Sequence, residues 1–261
     1  MARKTATINN LSPKTLAAFC GLAFGIGAIS FAPASLITPL LDAGGTQLSF
    51  KKVEGRLWQG TIVGARLPGQ NLGDIEYRIN PFSVLIGRPS GQFAVQGGVV
   101  TAISDFSVSA WSRELSLRNA TVDYNLNSLT KYSIFGFPYQ GRFRADIDKI
   151  VWGRDGCRDA QATLWTDILD ASSREYVGDG MELNGVAACL KSDLVVAFDG
   201  RNREGETQIE ITLKSSLSYQ MAARLTPRRV QIAESLRQFG FEERNGTFTY
   251  DAIGELRGIQ S

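Results

Sequence analysis

The sequence predicts a mainly β protein, with a single N-terminal transmembrane helix followed by a predominantly antiparallel, curled or two-layer β domain and one short amphipathic helix near the C-terminus. Three observations carry this reading. No charged side chain occurs from Thr15 to Leu41. Beyond that stretch, polar and apolar residues alternate in segments of strand length. Only one later segment of any length combines helical spacing with start and stop signals.

With 261 residues, 43% hydrophobic and 21% charged, the composition is that of a folded chain rather than a disordered or fibrous one. It divides into a tail (1–14), an apolar helix with its exit (15–41) and a β-rich domain (42–261). The tail holds Arg3, Lys4 and Lys14, and no acidic residue precedes Asp42. Equal numbers of basic and acidic residues lie beyond Asp42, so the net charge of +2 belongs to the tail. There the positive-inside rule keeps the N-terminus cytoplasmic. A domain without net charge has nothing to draw a polyanion, which argues against nucleic acid as a partner.

Residues 16–37 read LAAFCGLAFGIGAISFAPASLI, longer than the roughly 20 residues a helix needs to cross a bilayer. Two readings compete: a retained anchor, and a signal peptide cleaved after Ala34, where Ala32-Pro33-Ala34 has the small-x-small pattern. Pro33 and Pro39 suit the exit from a span as well as a cleavage site. Ala17, Gly21 and Gly25 form a stripe of small residues on one helix face, open to a helix partner in the membrane or to chance composition.

Cys20 sits inside the span and behaves as a small apolar residue. Cys157 and Cys189 lie in the exported part, where an oxidising compartment favours a disulfide between them. Metal binding is the alternative, but it lacks ligands, since the chain has no histidine and no cysteines at finger-like spacing.

Period-two alternation is plainest over 142–148, where Arg142, Arg144, Asp146 and Asp148 alternate with apolar residues, and over 206–213. Phe106, Val108 and Ala110 set against Ser107 and Ser109 repeat it. Further strands are expected over 48–53, 57–65, 74–79, 91–95, 115–126, 160–166, 184–190, 194–199, 219–225 and 247–253. Short connections and one polar face make them antiparallel. Residues 126–132 suggest one short turn. The clear helix has Thr226 as N-cap and Pro227 at its first position, carries Val230, Ile232, Ala233, Leu236 and Phe239, and stops at Gly240. One such helix cannot cover a dozen one-sided strands. The sheet must curl, form two layers, or offer an apolar groove to something else.

Catalytic chemistry finds little footing. Absence of histidine removes the commonest general base, serine-protease-type triads and most zinc sites. Asp146 and Asp148 form a potential carboxylate pair, but they continue the row of Arg142 and Arg144 and read as a solvated face with cross-strand ion pairs. Gly97-Gly98 and Gly178-Asp179-Gly180 read as turns, without a phosphate-loop or dinucleotide fingerprint. Trp58, Trp111, Trp152 and Trp165 are expected in the core or at sheet edges. No catalytic residue, metal or cofactor is expected.

The order of several short motifs resembles the type II secretion system protein N family. Ala32-Pro33-Ala34 is followed by Val53-Glu54-Gly55-Arg56-Leu57-Trp58-Gln59-Gly60, then Val151-Trp152-Gly153, Cys157-Arg158-Asp159-Ala160 and, over 183–189, LNGVAAC. Leu225-Thr226-Pro227, LRQFGF over 236–241 and a closing strand with Gly254 complete the resemblance, which spans 31–256. It implies a non-enzymatic, accessory component of the apparatus that exports folded periplasmic proteins across the outer membrane. It also implies retention in the inner membrane by one span, a periplasmic domain, and contacts with the inner-membrane platform, with the secretin as a further candidate. Gly55 and Gly60 of the signature, which also includes Leu57, are expected to bend a strand at both ends, with Trp58 on the same face as Gly60 and Ile62, so that the indole packs over the sheet while Arg56 stays toward the surface. Structural packing and direct partner contact both remain open for this motif.

A reading from another class competes: an inner-membrane-anchored β-groove protein that handles or transfers envelope lipids, suggested by the shortage of helix to cover the sheet. A long channel lined by Phe, Ile and Val favours lipid, whereas a closed sandwich favours docking. An exported hydrolase is disfavoured by the lack of a nucleophile–base pair.

Overall fold

The alternating segments assemble into one large sheet. The computed structural model describes residues 32–37, 48–67, 70–128, 133–134, 137–138, 140–169 and 180–255. Its strands are β1 (Lys52–Arg56), β2 (Gln59–Leu67), β3 (Gln70–Ile79), β4 (Ser90–Gly97), β5 (Val100–Ser109) and β6 (Glu114–Asn125). A short hairpin, β7 (Ser133–Ile134) and β8 (Phe137–Pro138), precedes β9 (Arg142–Gly153), β10 (Gly156–Thr166), β11 (Leu183–Leu190) and β12 (Asp193–Arg201). Then come β13 (Gly205–Leu213), β14 (Ser218–Pro227), β15 (Glu242–Arg244) and β16 (Thr247–Glu255). Helix α1 (Pro81–Leu85) joins β3 to β4, and α2 (Val230–Gln238) joins β14 to β15.

Among the described residues, fourteen strands form a single antiparallel sheet in the order β1-β2-β3-β4-β5-β6-β9-β10-β11-β12-β13-β14-β16-β15, with β7–β8 as a separate two-stranded piece. Nearly every strand pairs with its sequence neighbour, as short connections require. β1 and β15 are both edges, so the sheet is open among the described residues.

Register puts an apolar row across almost its full width. Ile62 pairs with Ile75, Ile75 with Val95, Val95 with Ala102, Ala102 with Val122 and Val122 with Ala145. The row continues through Leu164, Gly185, Phe198, Ile209, Ala223 and Tyr250. Cross-strand contacts of this kind contribute roughly 0.2–1 kcal/mol each. Several aromatic rings lie over glycines of the neighbouring strand: Tyr77 over Gly60, Phe198 over Gly185 and Tyr219 over Gly254.

Helix α2 covers this apolar face over the last strands only. Leu236 packs there with Ala223, Phe241 and Phe248, flanked by Ile209, Leu225 and Tyr250. Burying Leu236 and Phe248 stabilises this corner by about 2 kcal/mol per side chain. Arg237 lies over the Phe248 ring and pairs with Glu243 at 2.6 Å. At the start of α2, Arg229 reaches the buried Glu204 at 2.7 Å and ties the helix to the β12–β13 turn.

The expected helix therefore exists, but it begins later than its signals suggest. Thr226 and Pro227 belong to β14, paired with Glu206 and Gly205, and Arg229 occupies the N-cap position. Strand pairing wins over the Thr-Pro start signal because β13 offers partners to both residues. The stop holds, with Phe239 as C-cap and Gly240 at φ +83°. Of the turn expected over 126–132, Leu126–Ser128 forms a 3-10 turn, and 129–132 lie outside the described residues. Helix α1 and the short strands β7, β8 and β15 are additions to the sequence reading.

Among the described residues no helix is long and apolar enough to cross a membrane. Most of the predicted span, with Ala17, Cys20, Gly21 and Gly25, lies outside the described residues.

Candidate functional site at the first hairpin and the sheet edges

The signature residues build the first hairpin. β1 and β2 pair from Lys52 opposite Val63 to Arg56 opposite Gln59, which leaves Leu57 and Trp58 as a two-residue turn. Trp58 therefore does not lie in a strand on the face of Gly60 and Ile62, as its sequence position suggests. Strand 57–65 starts two residues later, at Gln59, because Leu57 and Trp58 make the turn; Gly55, at φ +99°, lies within the paired β1.

Gly55 and Gly60 stand opposite one another. A Cβ on Gly60 would lie 2.4 Å from the Glu54 carbonyl oxygen and 2.7 Å from the Tyr77 hydroxyl; one on Gly55 would lie 2.7 Å from the Gln59 oxygen. The space left by this pair admits Tyr77, whose hydroxyl donates to the Arg56 carbonyl at 3.1 Å. Burial pushes the Tyr77 phenol above its ordinary range. Trp58 contributes its carbonyl, which accepts from the Ile79 N–H at 2.7 Å.

The hairpin also receives the segment that follows the apolar stretch. The Leu57 N–H donates to the Ala32 carbonyl at 2.8 Å, Pro33 bridges Arg56, and Ala34 is 1% exposed. A 3-10 turn at Ala34–Ile37 packs against β1. Residues 32–34 are thus built into the domain.

Backbone edges are the other feature suited to recognition. β15 is short, fully exposed and charged, with Arg244 paired to Glu242 at 3.1 Å, a pattern that discourages strand addition. It pairs only with Thr247–Thr249 of β16, so 251–254 form an outer rung without a strand beyond them among the described residues. Such an edge can accept an added strand.

Cys157 of β10 and Cys189 of β11 form a disulfide with Cα atoms 5.6 Å apart. Paired register between these strands stops at Ala162–Ala187, and the bridge holds them together beyond that point, with the Cys157 N–H donating to Ser192 at 2.8 Å.

The polar face is a network of ion pairs and hydrogen bonds. Arg144 meets Asp123 at 3.2 Å, Lys149 meets Asp159 at 2.5 Å, and Thr121 donates to Asp146 at 3.2 Å. Asp148 stands where regular pairing of β9 with β10 is interrupted, so Asp146 and Asp148 do not form a regular same-face pair. Asp105 accepts from Asn119 at 2.9 Å and Gln92 at 2.8 Å, and these bonds hold its carboxyl below the usual carboxylate range. A depression of about 570 Å³ opens on this side and mixes Glu54, Glu76, Arg78 and Gln92 with Phe93 and Ile103, a lining unlike an apolar channel. Among the described residues no group of three or more His, Cys, Asp or Glu is placed to hold a metal.

Of the tryptophans, Trp58, Trp152 and Trp165 are half-buried, and the Trp165 indole donates to Glu182 at 3.1 Å. Trp111 departs from expectation: it stands at the β5–β6 turn and is 83% exposed. The strand alternation ends at Ser109, which leaves the indole at the tip without a sheet neighbour.

The family model for type II secretion system protein N matches residues 46–250. The chain belongs to that family. No curated protein and no solved structure gives a match. As a type II secretion system protein N family member it is a component of that export system. Membership implies contact with other components of the system and a place in the cell envelope. The matched region takes in the hairpin signature, both disulfide cysteines and all the sheet but the last residues of β16.

Proposed function

We propose that this protein is a non-enzymatic, accessory docking component of the type II secretion system, held in the inner membrane by residues 15–41 with residues 1–14 in the cytoplasm and the sheet in the periplasm. One observation carries the anchored reading. Ala32, Pro33 and Ala34 are integral to the signature hairpin, and cleavage after Ala34 would remove the carbonyl that Leu57 bonds and the bridge to Arg56. A retained segment supplies both.

The hairpin then transmits the position of the anchor to the sheet, while the outer rung of β16 offers backbone to the inner-membrane platform or the secretin. Small residues at Ala17, Gly21 and Gly25 give the span itself a surface for a helix partner. The disulfide agrees with an oxidising compartment.

Photo-crosslinking from positions 251 and 253 of β16 and from Trp58, in intact envelopes, tests this directly. Recovery of platform or secretin components supports the reading, and recovery of lipid-transport proteins or lipid alone overturns it. Trp58→Ala separates the two roles of the motif: normal abundance with lost secretion indicates partner contact, whereas loss of folded domain indicates packing.

The lipid-handling alternative draws on one observation, the apolar face that α2 covers only at its last strands. Phospholipid co-purifying in stoichiometric amount with the full chain, and lost on placing a charge at Val122, is the outcome that would favour it.

A further inference from the structure

All connections of the sheet fall at two ends. The end that carries the Leu57–Trp58 turn also carries the connections β3–β4, β5–β6, β9–β10, β11–β12 and β13–β14. The segment following the apolar stretch enters at this same end, through Ala32 and Pro33.

Two properties set this end apart. The first is apolar exposure. Of thirteen large apolar side chains exposed among the described residues, seven lie in or beside the β3–β4 and β5–β6 connections. Phe82 is 76% exposed, Leu85 80% and Ile86 68%, and Trp111 belongs with them. They form one surface, since a Cβ on Gly87 would lie 2.7 Å from the Trp111 indole nitrogen, and the Ala110 N–H donates to the Gly87 carbonyl at 3.1 Å. Their base is fixed. The Asn80 side chain accepts from the Phe82 N–H, and the buried Ser83 hydroxyl donates to the Asn80 carbonyl at 2.6 Å while accepting from the Ser90 N–H at 2.9 Å. A monomer surface rarely concentrates apolar groups this way without something to cover them.

The second property is charge. Each of those five connections contains a basic residue: Arg88, Arg113, Arg154, Lys191 and Lys214. Asp155 is the only acid among them. Basic residues around exposed aromatic and aliphatic side chains make a surface suited to the boundary between lipid headgroups and acyl chains. Tryptophan is enriched at that depth.

We infer that this end of the sheet is a membrane-contacting surface. Phe82, Leu85, Ile86 and Trp111 enter the headgroup region of the leaflet from which the anchor emerges, and the basic turns meet lipid phosphates. Strand spacing of about 4.8 Å puts α1 roughly 10 Å and Trp111 roughly 20 Å from the hairpin where the anchor joins. The inference rests on the anchored reading above. Its consequence is an orientation: the sheet stands with its strands running away from the bilayer and with α2 at the distal end.

The test uses the full chain reconstituted in vesicles of phosphatidylethanolamine and phosphatidylglycerol, with and without bromine-labelled phospholipid. Brominated lipid is expected to quench the emission difference between the unaltered chain and Trp111→Phe at least twofold, and Leu85→Ser with Ile86→Ser is expected to reduce that quenching. Equal emission with and without bromine at Trp111 overturns the inference, including the case in which a protein covers the patch instead. Resistance to alkaline extraction reports on the anchor separately. A chain that resists extraction with Trp111 unquenched refutes the surface and keeps the anchor; a chain that is extracted yet quenched refutes the anchor and keeps the surface.

Discussion

Gly60→Ala places a methyl group where the hairpin has no room for one. The new Cβ would meet the Glu54 carbonyl oxygen at 2.4 Å and the Tyr77 hydroxyl at 2.7 Å. The first contact is with backbone and cannot swing away, so β1 and β2 must separate locally, at about 1–3 kcal/mol for overpacking of this kind. Displacement of Tyr77 also loses its 3.1 Å bond to the Arg56 carbonyl, worth about 1 kcal/mol. The expected total is about 2–4 kcal/mol. Urea denaturation of the full chain in detergent, followed by tryptophan fluorescence, reads this as a lowered midpoint at unchanged slope. Tyr77→Phe is the companion variant and should cost only about 1 kcal/mol, since it removes the bond and leaves the packing. A Gly60→Ala protein within about 0.5 kcal/mol of the unaltered chain would show that the hairpin does not close around Tyr77, and the account of the signature would fail.

Cys157→Ser should lower stability by about 4 kcal/mol, the chain-entropy value for a link across 32 residues; comparing denaturation midpoints with and without reductant checks it, and a change only in the variant's gel mobility would count against it. Arg229→Ala leaves the 6%-exposed Glu204 without its ion-pair partner and should cost about 2–3 kcal/mol, less than a fully buried pair because Arg229 is half exposed. Adding Glu204→Gln should recover part of that loss in the same denaturation assay. Asp105 has a lowered folded-state pKa, so its contribution is complete above the unfolded carboxylate value of about 3.9 and is lost as pH falls through the folded value. Asn119→Ala should raise that pKa towards the ordinary range in an NMR titration of the carboxyl carbon.

Much of the sheet is legible because burial of one face imposes period two on every strand. Arg142–Gly153 and Gly205–Leu213 show this at a glance. Where reading failed, competing local signals explain it. Leu57 and Trp58 form a turn without glycine, proline or asparagine, and the positive φ falls on Gly55, within the paired β1. Thr226-Pro227 has the chemistry of a helix start, yet pairing with β13 claims both residues. Helix α1 carries a genuine signal, Asn80 as N-cap with Pro81 at the first position, but its apolar side chains have no amphipathic period over five residues. Trp111 was hidden by the serine alternation before it, which reads as continuing strand where the chain has already turned.

The order of pairing has a bearing on how the protein comes into being. Because almost every strand lies beside the one synthesised just before it, the sheet has no need to wait for its last residue. A chain delivered N-terminus first can add rungs in the order they emerge, each closing a short loop at small entropic cost. Cys157 and Cys189 meet as soon as β11 has paired with β10, while β12 to β16 are still to come. The bridge then clamps a half-built sheet from behind. Only the final corner, where α2 must fold back over β14 and β16, waits for the last strands, and that corner holds Phe248, the largest fully buried side chain among the described residues.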